Sequence, residues 1–168
     1  MKTSLKTFAI IAMAVISFSV QAQKIAYLEL DTLLSAMPEM IEAKKISADY
    51  YKQLETTLST MQKELNDKLT EYQANQSKYT DLIKQTKEKE LQDLNQRIQD
   101  FQVQAQQDFQ KRNMEITKPI NEKAKKAIEK VARAKGYKIV LDSGIGTILY
   151  SDPVDDILLF VKTELGIK

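Results

Sequence analysis

The chain has 168 residues, with 25 Lys+Arg against 23 Asp+Glu, 4 Gly, 3 Pro and neither Cys, His nor Trp. That composition excludes a Ser-His-Asp triad, a thiol nucleophile, a Cys/His zinc site and a redox thiol pair. The glycines, Gly136, Gly144, Gly146 and Gly166, open no phosphate-cradling G-x-x-x-x-G-K or G-x-G-x-x-G pattern. Asp155 and Asp156 are adjacent carboxylates, but neighbours on a helix point about 100° apart and acidic residues in a first turn compensate the helix dipole. What remains is a binding or structural protein, or as a distant alternative an unusual carboxylate/Lys enzyme, with no expected cofactor or metal.

Residues 1–22 read as an export signal. Lys2 and Lys6 precede an apolar run from Phe8 to Val20, and Val20-Gln21-Ala22 places small residues at the −3 and −1 positions of a cleavage site, so the expected cut follows Ala22. The run is shorter than the roughly 20 apolar residues of a spanning helix, although an uncleaved anchor is the alternative. Loss of Lys2 and Lys6 leaves 23 basic against 23 acidic side chains, so the exported chain is formally neutral. An oxidising compartment offers no disulfide to a chain without Cys, and its stability has to come from packing or assembly.

Lys24 to Leu30 reads as a short strand, with Ile25, Tyr27, Leu28 and Leu30 apolar. Asp31 is the expected N-cap of a short helix, Thr32 to Met37, and Pro38 suits the first turn of the next. From Pro38 to Lys118 no further Pro or Gly interrupts the chain. Tyr51, Leu58, Leu65, Tyr72 and Tyr79 recur every seven residues, with Leu54, Met61, Lys68, Asn75 and Leu82 as companions. A second series, Leu91, Leu94, Ile98, Phe101 and Ala105, resumes at Phe109, Ile116 and Ile120 after a stutter-like step. Between them Thr80 or Ser77 can cap a new helix, which places a reversal near Tyr79 to Asp81.

The polar face of the second series is crowded with glutamine, eight between Gln92 and Gln110. Two readings stand: a solvated coiled-coil flank, or an uncharged hydrogen-bonding wall that touches other chains without gripping them. Pro119 opens an expected helix to Lys135, stopped by Gly136. With the reversal near Thr80, Pro38 and Pro119 fall level at the base of a hairpin whose arm, about 40 residues long at ~1.5 Å each, reaches roughly 60 Å.

Tyr137 to Asp142 is an expected strand, Ser143-Gly-Ile-Gly146 a turn and Thr147 to Ser151 a third strand, together a β-hairpin. Asp152 followed by Pro153 signals a last helix with Val154, Ile157, Leu158, Val161 and Leu165 on one face, ending at Gly166. The fold class is therefore α+β. The divisions are 23–37 (body), 38–118 (helical-hairpin arm) and 119–168 (body: helix, β-hairpin, C-terminal helix). A body smaller than ~70 to 80 residues seldom holds together without disulfides, metal or oligomerisation, and here oligomerisation alone is available. Ile25, Tyr27, Leu28, Ile139, Leu141, Ile148 and Tyr150 are the expected body core at which the sheets of several chains join.

The Lys24-Ile-Ala-Tyr-Leu-Glu-Leu-Asp31 opening, the turn Ser35-Ala-Met-Pro-Glu39 and the Lys87–Asp93 helical segment come first. Ile128-Glu-Lys-Val-Ala-Arg-Ala-Lys-Gly-Tyr-Lys-Ile-Val-Leu-Asp142 and Asp152-Pro-Val-Asp-Asp-Ile157 follow in order. Together they resemble the Skp/OmpH family of periplasmic chaperones. The resemblance implies a jellyfish-like homotrimer in the periplasm, with a β body and helical arms around a cavity. It further implies an ATP-independent holdase that keeps unfolded outer-membrane proteins from aggregating and hands them to outer-membrane assembly.

For such a role the arm candidates are Tyr79, Leu82, Ile83 and Tyr50, with the lysines Lys78, Lys84 and Lys87; Tyr72 and Met61 are further candidates. For each apolar residue, burial inside the hairpin is the competing reading. Net positive tip and base segments suit acidic clients or an anionic membrane surface, with screening over roughly 8 Å. Export and the neutral mature charge argue against nucleic acid. The rival reading is an adaptor whose hairpin bridges folded envelope partners. A holdase binds many denatured barrels, whereas an adaptor binds one folded protein.

Overall fold

The computed structural model describes residues 24–146 and 148–167. The expected signal peptide and its cleavage site lie outside the described residues, as does Thr147. Two long helices form an antiparallel hairpin, and the two ends of the chain meet at its base in a small body around a two-stranded sheet.

Strand β1 (Ile25–Leu28) alternates as its sequence dictates, turning Ala26 and Leu28 into the core and Ile25 and Tyr27 outward. It pairs with β2 (Ile139–Asp142) in parallel, Ile25 beside Ile139 and Tyr27 beside Leu141. Parallel neighbours need a long crossover, and the whole helical arm serves as that connection.

Helix α1 (Leu30–Ala36) begins one residue ahead of the expected Asp31 cap. Its flanking residue, Glu29, makes no side-chain cap bond. The Leu30 N–H instead donates to Asp142 Oδ1 at 3.1 Å, and the same oxygen accepts from Gly144 N–H at 2.9 Å. A carboxylate from the far end of the chain thus satisfies a helix N-terminus, an arrangement invisible to local sequence reading.

Helix α2 (Pro38–Asn75) leaves the body and α3 (Asp81–Lys135) returns to it. The reversal is a single 3-10 turn, Gln76–Lys78, after which the Thr80 hydroxyl accepts from Ile83 N–H. Cross-arm partners Glu39 with Lys123, Ser47 with Asn113, Tyr51 with Phe109, and Glu71 with Lys87 are all centred within a residue of Thr80, so the two helices run without a slip.

The boundary expected at Pro119 does not exist as a break: α3 continues through it as one 55-residue helix. Proline removes one backbone bond and strains the preceding turn. Here Ile120, Ala124, Ala127 and Val131 are buried in the body core and Ile116 packs against it, so both sides of the proline are held. Gly136 ends the helix at φ 79, and Tyr137 N–H bonds back to the Ala132 carbonyl.

The third strand and the β-hairpin expected over 137–151 are absent among the described residues. Within one chain β1 has β2 on one edge and Asp156 on the other, with Ile157 N–H donating to the Tyr27 carbonyl at 3.0 Å. Ile148 to Ser151 therefore finds no place on β1 and forms a loop, with Leu149 98% and Tyr150 87% exposed. The last helix is also shorter than expected. Pro153–Asp155 makes one 3-10 turn capped by Asp152, extended Asp156 pairs with β1, and only then does α4 (Leu158–Glu164) start, its Leu158 N–H on Asp156 Oδ1.

The core gathers Ala26, Leu28, Leu33, Met37, Met40, Ala43, Ile157 and Val161 with the α3 residues already named. β1, α1, the roots of both long helices, Ile157 and α4 supply it, Val140 of β2 packs against it, and Lys130 ties α3 to α4 through Glu164 at 2.5 Å. Because Asp142 serves two backbone donors, Asp142→Ala should lower unfolding stability by about 1–2 kcal/mol, and Asp142→Asn, which keeps an acceptor, by less. Denaturant unfolding followed by circular dichroism reads both.

Candidate functional site

Exposed apolar groups gather at the tip of the arm and on the outer face of the body, and others, among them Ile41, Val103 and Met114, stand along the arm. At the tip, Tyr72 belongs to the hairpin interior: it is buried, stacks on Tyr79 with ring centroids 6.2 Å apart, and its hydroxyl donates to Glu88 Oε1 at 2.5 Å. Hydrogen bonding to the Glu88 carboxylate, reinforced by desolvation, raises the Tyr72 pKa above the usual tyrosine value. Tyr79 is half-buried beneath this pair. Leu82 and Ile83, one turn further on, are exposed, 74% and 42%.

The tip lysines are not a bare cationic patch. Lys87 reaches Glu71 across the hairpin at 3.3 Å, and that hydrogen bond and charge hold its pKa above the usual lysine value. Lys84 lies 4.0 Å from Asp81, and Lys78 donates to Asn75 Oδ1. Tyr79, Leu82, Ile83, Lys78, Lys84 and Lys87 are thus brought together. Tyr50 is not: it lies some thirty residues down α2, about 45 Å away at helical rise. There its hydroxyl bonds Asp108, which raises its pKa, and the Arg112 guanidinium sits 4.3 Å from its ring centroid. Met61 is half-buried along the seam.

In the body, Leu28 is buried inside the single chain. Ile25, Ile139 and Leu141 are instead about two-fifths exposed and share the outer face of the sheet with half-buried Tyr27. Ile148 is half-buried and Tyr150 exposed in the loop that follows β2. Sequence reading missed Ile145, Leu149 and Leu159, all strongly exposed, because each falls off the apolar periodicity used to assign the core, and Val154, expected on the apolar face of the last helix, is 73% exposed because it lies in the 3-10 turn ahead of α4. It also missed Phe160, whose ring lies 3.2 Å under Lys135 Nζ. Tyr137, half-buried, donates to Asp155 at 3.1 Å; desolvation first and that bond second raise its pKa.

The fold and these surfaces define a helical-hairpin protein with a small α+β base and open apolar faces at both ends. Residues 24–165 match the family model described as outer membrane protein (OmpH-like). Over 153 residues the chain is 30% identical to the chaperone protein Skp of Yersinia enterocolitica, covering 89% of this chain and 90% of that one. A solved structure from Caulobacter crescentus CB15, described as an OmpH-like outer membrane chaperone, superposes with a TM-score of 0.74 at 12% identity, over 86% of this chain and 84% of the other. The chain belongs to the OmpH-like family. At 12% identity the Caulobacter likeness speaks to the fold: one small sheet and one long hairpin. Among the described residues no helix is long and apolar enough to cross a membrane.

A tyrosine whose folded pKa is raised keeps its full stabilising contribution below the unfolded value near 10 and loses it as pH climbs through the folded value. Tyr50, Tyr72 and Tyr137 should therefore ionise later than free tyrosine. Alkaline titration followed by phenolate absorbance should lose one late-titrating group in Tyr72→Phe, and arm helicity in the parent should fall over the same rise in pH.

Proposed function

We propose that this protein is an ATP-independent holdase of the periplasm, exported by the segment that ends at Ala22, which binds unfolded outer-membrane β-barrel proteins between helical arms and passes them to outer-membrane assembly. The observation that carries this reading is the apolar surface a single chain cannot cover. Ile25, Tyr27, Ile139 and Leu141 line one sheet face, Leu149 and Tyr150 are exposed in the loop that follows β2, and Leu82 and Ile83 stand bare at the end of a long arm. Its family membership and its chaperone relative support the same conclusion.

The two surfaces take different partners. The sheet face is contiguous and belongs to a body too small to be stable alone, so it joins copies of the chain into a homotrimer. The tip offers small apolar contacts ringed by lysines that keep acidic neighbours close. Each such contact is weak, and several arms acting together hold a client through high local concentration while allowing release. Unfolded barrel strands alternate apolar and polar residues, and a mixed surface suits them better than a greasy one. Tyr79, Leu82 and Ile83, with Lys78, Lys84 and Lys87, are the contact residues in this reading. Tyr50 serves the arm seam.

Light scattering of the mature chain should report a trimer, and a urea-unfolded barrel diluted into it should stay in a soluble stoichiometric complex. Leu141→Asp should disperse the trimer. Leu82→Ser with Ile83→Ser should leave the trimer intact and weaken client retention several-fold. A stable monomer, or a barrel that precipitates regardless of the protein, defeats the reading.

A further inference from the structure

Midway along the arm the seam opens into a notch of about 340 Å³. Half-buried Ala105 lines it, four residues from both Phe101 and Phe109 on one face of α3. Leu54 and Leu58 of α2 form the far wall, and Tyr51, edge-on to Phe109 with centroids 5.6 Å apart, closes one end. Gln102 and Gln106 stand at the rim, and Glu55 is the single charged group in the lining.

We infer that this notch is a client subsite that accepts one uncharged aromatic side chain of an extended polypeptide. The inference rests on the holdase reading above and adds a location and a chemistry to it. The apolar lining argues for the occupant: three aromatic rings and two leucines favour an aromatic guest, and Glu55, with no basic group beside it, disfavours an acidic one. Spacing adds a register. Phe101, Ala105 and Phe109 are four residues apart, about 6 Å along the helix, and side chains on one face of an extended strand recur every ~6.6 Å. An aromatic residue seated over Ala105 therefore sets its same-face neighbours beside Phe101 and Phe109. The Gln102 and Gln106 amides are then within reach of the strand backbone, donating to carbonyls and accepting from N–H groups without competing charge. Membrane barrel strands carry aromatic girdles near both ends, so each unfolded strand supplies such a side chain.

The chain contains no Trp and no Cys, which makes two probes unambiguous. The first is a ten-residue peptide alternating Val or Leu with Ser or Thr around one central Trp. With the mature protein its emission should shift to the blue, and Ala105→Leu, which fills the notch with a good helix former, should weaken binding about tenfold. Gln104→Leu, outside the lining, should not weaken it. The second probe is Ala105→Cys: saturating peptide should slow maleimide labelling of the introduced thiol at least fivefold and leave labelling of Gln104→Cys unchanged. Equal peptide affinity in Ala105→Leu and the parent, or an Ala105→Cys thiol that the peptide leaves unprotected, overturns the subsite. If the parent ignores the peptide yet keeps an unfolded barrel soluble, the subsite falls and the holdase reading stands; if it does neither, both fall.

Discussion

The parallel pairing of β1 with β2 is the constraint on which the rest of this molecule depends. Leu30 N–H and the Asp142 carboxylate that receives it are 112 residues apart in sequence. Nothing local brings them together. Closing so long a loop costs chain entropy that a handful of strand hydrogen bonds does not offset. The hairpin reduces the problem, because two helices locked in register by cross-arm pairs centred on Thr80 deliver Ile25 and Ile139 to the same place. The body in turn fixes the roots of both helices through Met40, Ala43, Ile120 and Ala124. Arm and body are one cooperative structure.

A two-helix arm has a physical limit that shapes its surface. Two cylinders meet along a single line, so seam residues such as Leu54, Leu58, Phe101 and Ala105 are only half-buried, while Leu94 and Ile98 nearer the tip are buried. Polar groups supplement the apolar contact: Ser47 bonds Asn113 at 3.0 Å, Tyr50 bonds Asp108, and Tyr72 bonds Glu88. These pairs set register more than they add stability, since a seam of leucines alone slides easily. Between them the seam is mainly apolar, closed at Leu94 and Ile98 and open around Ala105. In the proposed function that openness is useful, because a surface that is partly apolar, partly amide and nowhere strongly charged can hold an unfolded strand without trapping it.

Much of this architecture was legible in the sequence, for identifiable reasons. The heptad of Tyr51, Leu58, Leu65, Tyr72 and Tyr79, the lack of breakers between Pro38 and Lys118, the Thr80 cap and the Gly136 stop are local signals, and each is present in the structure. The need of the first strand for a distant partner also followed from its isolation. What failed was non-local. Pro119 reads as a helix start by composition but is carried inside α3 by core residues on both sides. The Thr147 to Ser151 segment has strand composition but no free β1 edge within its own chain, because Asp156 occupies it. The surfaces were legible in part: Leu82 and Ile83 at the tip stand open, whereas Tyr50 is engaged across the arm by Asp108 and Arg112, groups 58 and about 60 residues away in sequence.

The same closure explains where apolar surface is left over. Once Ala26, Leu28, Leu33 and Val161 fill the interior, Ile25, Ile139 and Leu141 on the opposite face of the two-stranded sheet stay about two-fifths exposed among the described residues. A single cross-link tests the closure most directly. In a chain without cysteine, Ile25→Cys and Ile139→Cys are register partners on the outer sheet face. A short bis-maleimide applied to a mixture of light- and heavy-nitrogen chains, read by mass spectrometry, should join the two thiols of one chain. Links found only between chains, or none at all, would contradict the account that each chain closes on itself across its arm.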